Sequence, residues 1–432
     1  MSNEPIPGDS PDPNNPFKGT PFEQLFASFA SGGGAGQMPD LSGVMAQFQG
    51  LMKPYDGPVN WTLAHDLARQ VAAASPDPTP GRADRDRVND SVRLADHWLD
   101  SETPLPSAVT VGAAWSRAEW IEETLPVWQK LVAPIATKVN SAMSEALPEE
   151  AKAMAGPLLG MFGKVGGSVF GAQVGQGLGT LAGDVLTASD IGLPLGPAGQ
   201  AALVTSNITA FADGLDVSEE DVVLYLALRE CAHQRLFGHV PWLRAHLLSA
   251  VEAYAAGMTM DLSGIESAMR DIDPSNPQAI QDAMAGGLFE PQQTPQQTAA
   301  LQRLETTLAL VEGWVDDVVG QAASRMPSAP KLQEAIRRRR AAGGPAEQTF
   351  GALVGLELRP RRLRDAATLW GSLRSRFGAD GREAVWAHPD LLPTAADLDD
   401  PLGFRADVVE PTTLTDEEFD RALNDLLDSE GE

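Results

Sequence analysis

The sequence predicts a mainly α-helical protein. Apolar residues recur at helical spacing over most of the chain, and good helix caps precede several of these stretches. Alternation of apolar and polar residues with a period of two, the pattern of a half-buried strand, is almost absent. A fold dominated by β-sheet is therefore not expected.

Composition and charge limit the function. The 432 residues are 43% hydrophobic and 21% charged, which is typical of a globular protein. The formal charge of -27 argues against binding to nucleic acid or to an anionic membrane, because both would repel the chain. The single cysteine excludes an intrachain disulfide. The acidic, Pro-rich first residues do not resemble a signal or transit peptide, so a cytoplasmic location is expected.

The chain divides into three predicted parts. Residues 1–56 form a flexible Pro/Gly-rich arm, because they contain too few apolar residues to offset the entropy of ordering. Residues 57–400 form a helical domain. Residues 401–432 form an acidic tail, in which Thr415 and Glu418 make the capping box of a short amphipathic helix.

The first helices of the domain are predicted over 61–74, with Asn60 as N-cap, and over 83–99 and 114–139. The next predicted helix, 157–184, carries a glycine at every fourth position. Glycines at this spacing lie along one stripe, where a second helix can approach closely. A membrane span is the alternative interpretation. The polar residues inside the segment favour a buried helix instead, namely Lys164, Gln173 and Gln176.

Two long helices follow, a motif helix over 218–238 and a partner helix over 298–326, with a polar loop before the second. Beyond them the chain is helical and carries two arginine clusters, 337–340 and 359–364. These clusters contain no aromatic residues, so we expect them to pair with acidic segments of the chain, such as the tail, rather than with nucleic acid. No nucleotide cofactor is expected, because no glycine-rich segment follows a strand and opens a helix.

The motif helix is expected to be buried in the middle of the domain. Ser218 is a good N-cap, and the segment 222–228 is apolar on every side. At about 100° per residue, Arg229 and His233 fall at the centre of one stripe, which Glu230 flanks.

Charged groups in such a position need partners, since an unpaired buried ion is destabilising by on the order of several kcal/mol. The partner helix can supply them. Its buried face is predicted to contain Glu312 at the edge and Asp316 one turn further on.

The segment Arg229-Glu230-Cys231-Ala232-His233 resembles the HExxH helix of the zincin-type metallopeptidases and, more closely, that of a family of zinc-dependent hydrolases among them. The resemblance covers roughly residues 55–400 and includes the segments 57–61, 239–242 and 310–314. It implies a zincin-like helical core around the glycine-stepped helix. It also implies zinc as cofactor, held by two histidines and a later glutamate.

By this resemblance, Glu230 corresponds to the general base, His233 to the second histidine ligand and Glu312 to the later glutamate ligand. Asp316 lies at the position of an acid that orients a ligand. The position of the first histidine is taken by Arg229. A guanidinium stays charged and offers no lone pair, so it cannot ligate zinc.

Two hypotheses about function follow. In the first, Arg229 replaces the charge of the metal by pairing with Glu312 and Asp316, and the protein is an atypical or inactive hydrolase-like member that binds an unknown peptide or protein. In the second, the protein is an active metal-dependent peptidase or hydrolase that uses His233, Glu312 and a non-standard third ligand, such as His239.

The remaining candidate side chains are interpreted as structural. Cys231 points away from the His233 side of the helix and is expected to be a small buried apolar residue rather than a nucleophile. The other histidines show no ligand spacing: His65, His97, His246 and His388.

Overall fold

The computed structural model describes residues 55–145, 156–257, 294–341 and 362–404. Almost all of the predicted arm, 1–56, and of the predicted tail, 401–432, lies outside these residues. Within them the mainly α-helical prediction is confirmed. In chain order the elements are α1 Trp61–Ala72, α2 Arg82–Leu99, β1 Val111–Trp115, α3 Arg117–Glu145, α4 Gly156–Ala182, β2 Gln200–Val204, α5 Thr205–Asp213, α6 Glu219–His239, α7 Leu243–Ala256, α8 Pro295–Ala322, α9 Ala329–Ala341 and α10 Leu363–Ala384.

The first two helices end within two residues of the predicted bounds. Asn60 is the N-cap of α1, and its Oδ1 accepts a hydrogen bond from the N–H of Leu63 at 3.1 Å. The buried residues of α2 recur at helical spacing, which is why its position could be predicted: Val88, Val92, Ala95 and Leu99.

The predicted helix over 114–139 begins later than expected. Ala114 and Trp115 belong to β1, and α3 starts after Ser116. Ser116 Oγ accepts a hydrogen bond from the N–H of Glu119 at 3.2 Å, and Glu119 Oε2 accepts one from the N–H of Ser116 at 2.7 Å. This capping box satisfies the first N–H groups of α3 and therefore sets where the helix begins.

The two strands form a small parallel sheet that the sequence did not reveal. Val111 lies opposite Gln200, and Trp115 lies opposite Val204. Four of the five residues of β2 are buried, so the strand shows no alternation of apolar and polar residues. β2 also contacts α6 and thus joins the sheet to the centre of the molecule.

The glycine-stepped segment is α4, and Gly171, Gly175 and Gly179 face α1 and its N-cap. A Cβ added at Gly171 would lie 2.6 Å from the carbonyl oxygen of Asn60, and one at Gly179 would lie 2.6 Å from that of Ala68. A side chain does not tolerate such distances, so the separation of the two helices depends on glycine. None of the described helices is long and apolar enough to cross a membrane.

The motif helix is α6, and it lies at the centre of the described structure. Ser218 caps it, with its Oγ accepting a hydrogen bond from the N–H of Asp221 at 3.2 Å. Nearly every residue from Val222 to Leu236 is buried. The helix is enclosed by α2, α8 and β2, which explains why it has no polar face.

The partner helix is α8, and it begins three residues earlier than predicted. Thr294 and Gln297 form a capping box, and Pro295 occupies the first helical position, where its missing N–H is not needed. Thr294 and Pro295, which the sequence had assigned to a loop, are thus part of the start signal of the helix, and the rest of that predicted loop, 291–293, lies outside the described residues.

α9 and α10 complete the surroundings of α8. α10 packs closely along it, since a Cβ added at Gly313 would lie 2.6 Å from the Cβ of Ala366. Trp370 Nε1 donates a hydrogen bond to the carbonyl oxygen of Leu310 at 2.8 Å. α9 contacts both α8 and α6, and this places the first arginine cluster beside the motif helix.

Candidate functional site

Glu312 of α8 is the centre of the candidate site. Its side chain is fully buried. Oε2 accepts a hydrogen bond from Arg229 Nη2 at 2.6 Å, and Oε1 accepts one from Arg340 Nη2 at 3.0 Å. Burial opposes ionisation of the carboxyl group, but the neighbouring positive charges, Arg340 first among them, outweigh it and hold the pKa of Glu312 far below its usual range. Glu312 is therefore a buried anion.

Arg229 reaches Glu312 from α6. Its side chain is 6% exposed, and its guanidinium lies at the position where the resemblance implies a zinc ligand. Burial would lower the pKa of this guanidinium, but the charge of Glu312 more than compensates and raises it. Arg229 is thus a permanently charged group at the position that the resemblance assigns to the first zinc ligand.

His233 lies one turn beyond Arg229 and also contacts Glu312. Its Nδ1 is 2.9 Å from the carbonyl oxygen of Arg229, which can only accept, so Nδ1 donates. Its Nε2 is 2.9 Å from Glu312 Oε1. Both ring nitrogens of His233 therefore face an oxygen acceptor within hydrogen-bond distance, and neither is open to a metal ion in this arrangement.

Glu230 points to a different part of the core. Oε2 accepts a hydrogen bond from the N–H of Ser189 at 3.1 Å, and Oε1 accepts one from Gln234 Nε2 at 3.0 Å. Burial raises the pKa of Glu230 above its usual range. The residue that corresponds to the general base is thus enclosed by protein donors.

The predicted pairing of Arg229 with Asp316 is wrong, because Asp316 is held by other donors. Its Oδ2 accepts hydrogen bonds from Arg337 Nη2 at 2.5 Å and from Gln333 Nε2 at 3.1 Å. Both donors belong to α9, which covers this end of α8. The acids of the partner helix therefore have separate arginine partners.

The loop between α4 and β2 completes the cluster. Asp190 Oδ2 accepts a hydrogen bond from Arg339 Nη1 at 2.7 Å, and Arg340 donates to the carbonyl oxygen of Asp190. Gly192 has a φ of 78°, and a Cβ there would lie 3.0 Å from Glu312 Oε1. Only glycine suits this conformation and this contact. The loop was not recognised from the sequence, because it has no motif of its own.

The first arginine cluster pairs with acids of the same chain, as expected. Most of the described partners are acids of the core, whereas Arg338 pairs with the partly exposed Glu334 of its own helix. The acidic tail lies outside the described residues. The helical spacing of Arg337 and Arg340, which places both on one face of α9, was a signal that this helix is docked on acidic groups.

The residues around Glu312 do not fit a zinc ion in this arrangement. Over the parts of the chain that the structure describes, no three histidine, cysteine or acidic side chains come together as a metal site. His239, considered above as a third ligand, is exposed at the last position of α6. Cys231 is buried with its Sγ 3.7 Å from the carbonyl oxygen of Val92, and burial raises the pKa of its thiol well above the usual range.

Comparisons with known proteins agree with this fold. The sequence model of a family described as zincin-like metallopeptidase matches residues 59–404. A crystal structure described as that of a putative hydrolase with a novel fold, from Chloroflexus aurantiacus, superposes with a TM-score of 0.58. It is 22% identical in sequence, and the match covers 79% of this chain and 96% of that chain. At this identity the likeness concerns the fold alone. No curated protein matches the sequence.

Proposed function

Because the chain belongs to the zincin-like metallopeptidase family, we propose that it is a member in which an ion-pair cluster has replaced the metal centre. In this proposal the protein acts as a hydrolase-like binding protein, located in the cytoplasm, and recognises a peptide or protein. The observation that carries it is the occupation of Glu312 by three side chains, Arg229, His233 and Arg340.

The physical argument concerns charge. In a zinc site the metal neutralises a buried carboxylate. Here two guanidinium groups, Arg229 and Arg340, neutralise Glu312 in a similar way and satisfy its oxygens through charge-assisted hydrogen bonds. A metal ion would have to displace both arginines from Glu312 and break the contact between His233 and Glu312, which disfavours zinc binding.

Metal analysis of the purified protein tests the proposal. We expect less than a tenth of an equivalent of zinc after purification in zinc-containing buffer, on the order of background binding. Stoichiometric zinc that disappears in His233→Ala would refute the proposal.

A gain of zinc binding provides the converse test. Arg229→His restores the first ligand, but Arg340 still holds Glu312, so we expect weak binding from this variant alone. Combining it with Arg340→Gln should give one equivalent of zinc. A third change, His233→Ala in this background, is the matched control and should abolish binding. If the double variant folds and still excludes zinc, the site differs from a zinc site in more than these two positions.

The alternative, an active metal-dependent hydrolase, is supported by the family match. It requires that Arg229 and Arg340 leave Glu312, and that a third ligand joins His233. Peptide hydrolysis that a chelator inhibits and that His233→Ala removes would favour this alternative.

A further inference from the structure

A buried hydroxyl lies one turn before Arg229 on α6. Tyr225 is 1% exposed, and its hydroxyl lies beside the guanidinium of Arg229, which can only donate. Within the described residues no acceptor takes the proton of the hydroxyl. A buried donor without an acceptor is destabilising by about 1–3 kcal/mol, so such groups are rare unless water or a ligand satisfies them.

Tyr225 forms part of the wall of a cavity of about 110 Å³. The rest of the wall comes from the end of α8, the start of α9 and the turn between them, and it is mixed: Ala323, Met326 and Ala329 are apolar, whereas Ser324 and Gln333 are polar. An engineered cavity of about 150 Å³ holds benzene, so this one has room for a small side chain.

The cavity adjoins a wider cleft of about 430 Å³, because Gly320 and Gln333 line both. Two arginines, Arg337 and Arg364, also line the cleft. Their side chains come from α9 and α10. Together the two spaces approach the size of a site for a small ligand or a chain end.

The charges in the cleft leave one arginine available. Arg337 is bound to Asp316, as described above. The other acid in the cleft wall, Asp317, is held by Arg382 at 2.8 Å. Arg364 is 70% exposed, and its Nη2 lies 3.7 Å from Glu334, too far for a hydrogen bond. The guanidinium of Arg364 therefore has N–H groups that can donate hydrogen bonds to an anion in the cleft.

We propose that this two-part cleft binds the carboxyl terminus of a peptide. The terminal carboxylate contacts Arg364, since a planar guanidinium matches a carboxylate with two parallel hydrogen bonds. The last side chain, small and bearing a carbonyl oxygen, enters the cavity and accepts a hydrogen bond from Tyr225. Asparagine meets both requirements. The inference rests on the proposed function, because it names the ligand class of a binding protein.

Fluorine NMR tests the proposal directly. The chain has three tyrosines, Tyr55, Tyr225 and Tyr254, so 3-fluorotyrosine labelling gives three signals, and Tyr225→Phe assigns the one of interest. The probes are N-acetyl-asparagine, its carboxamide, and a tetrapeptide that ends in asparagine. We expect the free acid and the tetrapeptide to shift the Tyr225 signal. An equal shift by the carboxamide, or no shift with any probe, would overturn the proposal.

Two arginine variants provide a matched pair. Arg364 and Arg338 both lie near Glu334, but only Arg364 lines the cleft. In titration calorimetry with the tetrapeptide, Arg364→Ala should weaken binding about tenfold, as expected for the loss of one charge-assisted contact. Arg338→Ala should leave binding unchanged. Equal effects of the two changes would contradict a specific contact at Arg364.

The probes also separate the possible sources of the carboxylate. A small acid that binds while the tetrapeptide is excluded would refute a peptide terminus as the ligand. The zinc analysis above is an independent measurement. A protein that holds zinc and still binds the tetrapeptide would refute the proposed function and leave this inference standing, whereas a zinc-free protein without a shift of Tyr225 would refute this inference alone.

Discussion

Glu312 remains an anion in the core because several donors act on it at once. Arg229 and Arg340 donate to different oxygens of the carboxylate, and His233 adds a third contact. Each cation on its own would leave part of the carboxylate unsatisfied, and a partly satisfied buried charge is destabilising. In the proposed metal-free site, Arg229 at the first ligand position is therefore only one part of the cluster, and Arg340 supplies another.

Glu312 has three partners, so removing one of them should affect stability less than removing the charge of Glu312 itself. Arg229→Met leaves Glu312 with two partners, so we expect a loss of about 2 kcal/mol in the free energy of unfolding, below the usual range for a broken buried pair. Glu312→Gln leaves two buried guanidinium groups without their anion and should be destabilising by about 4 kcal/mol. Urea unfolding of both variants measures this. The opposite order would mean that Arg340 and His233 contribute little.

At the residue level, the sequence indicated the acids and Arg229 but not the complete cluster. Arg229, His233 and Glu312 could be found because they interrupt apolar stripes of two helices, where a charge is conspicuous. The roles of Arg340 and Asp190 could not be found in this way, because a contact between an arginine-rich helix and a loop about 150 residues earlier leaves no periodic signal in either segment.

At the level of elements, the accuracy of a predicted helix start depended on the kind of cap that begins the helix. α1 and α6 begin with a single capping side chain, Asn60 or Ser218, and their positions were predicted well. α3 and α8 begin with capping boxes that were read as helix interior or as loop. The pairing of β1 with β2 joins segments about 90 residues apart, so it depends on tertiary structure and not on local pattern.

The close contact between α1 and α4 predicts that two glycine-to-alanine changes affect the free energy of unfolding in opposite directions. Gly171→Ala places a Cβ against the carbonyl oxygen of Asn60 and should be destabilising by about 2 kcal/mol, the usual effect of overpacking a tight contact. Gly371→Ala on α10 is the matched control. Its Cβ would meet Asp317 at 3.5 Å, an ordinary contact. This variant should be stabilised by up to about 1 kcal/mol, because alanine favours the helix.

Thermal and urea unfolding of the two variants measure this difference. Destabilisation by Gly371→Ala of the same size as by Gly171→Ala would show a general effect of added volume, rather than a specific close approach of α1 and α4.

At the level of the whole molecule, a charge of -27 produces self-repulsion in the folded state. Acidification protonates exposed carboxylates and relieves this repulsion, which favours folding. Buried, paired carboxylates act in the opposite direction, because they must remain ionised to keep their arginine partners. The exposed carboxylates and the buried, paired carboxylates therefore change stability in opposite directions as the pH falls. A variant of one buried carboxylate can separate the two contributions.

Asp190 is suited to this test. Burial would raise its pKa, but Arg339 and Arg340 outweigh burial and hold the pKa below its usual range. The unfolded chain therefore binds a proton at Asp190 before the folded protein does, near pH 4. It follows that the contribution of Asp190 to stability is complete above about pH 4 and is lost as the pH falls through the folded-state value.

Asp190→Asn should lower the free energy of unfolding by about 3 kcal/mol at pH 7, the usual effect of removing one partner of a buried ion pair. Because the wild type loses the same contribution in acid, the difference between the two proteins should shrink steadily below pH 4. Asp213→Asn, on an exposed side chain, controls for the loss of one negative charge. A difference that stays constant from pH 7 to about pH 3 would mean that Asp190 acts through packing and hydrogen bonds alone, since only a titrating carboxylate makes the difference depend on pH.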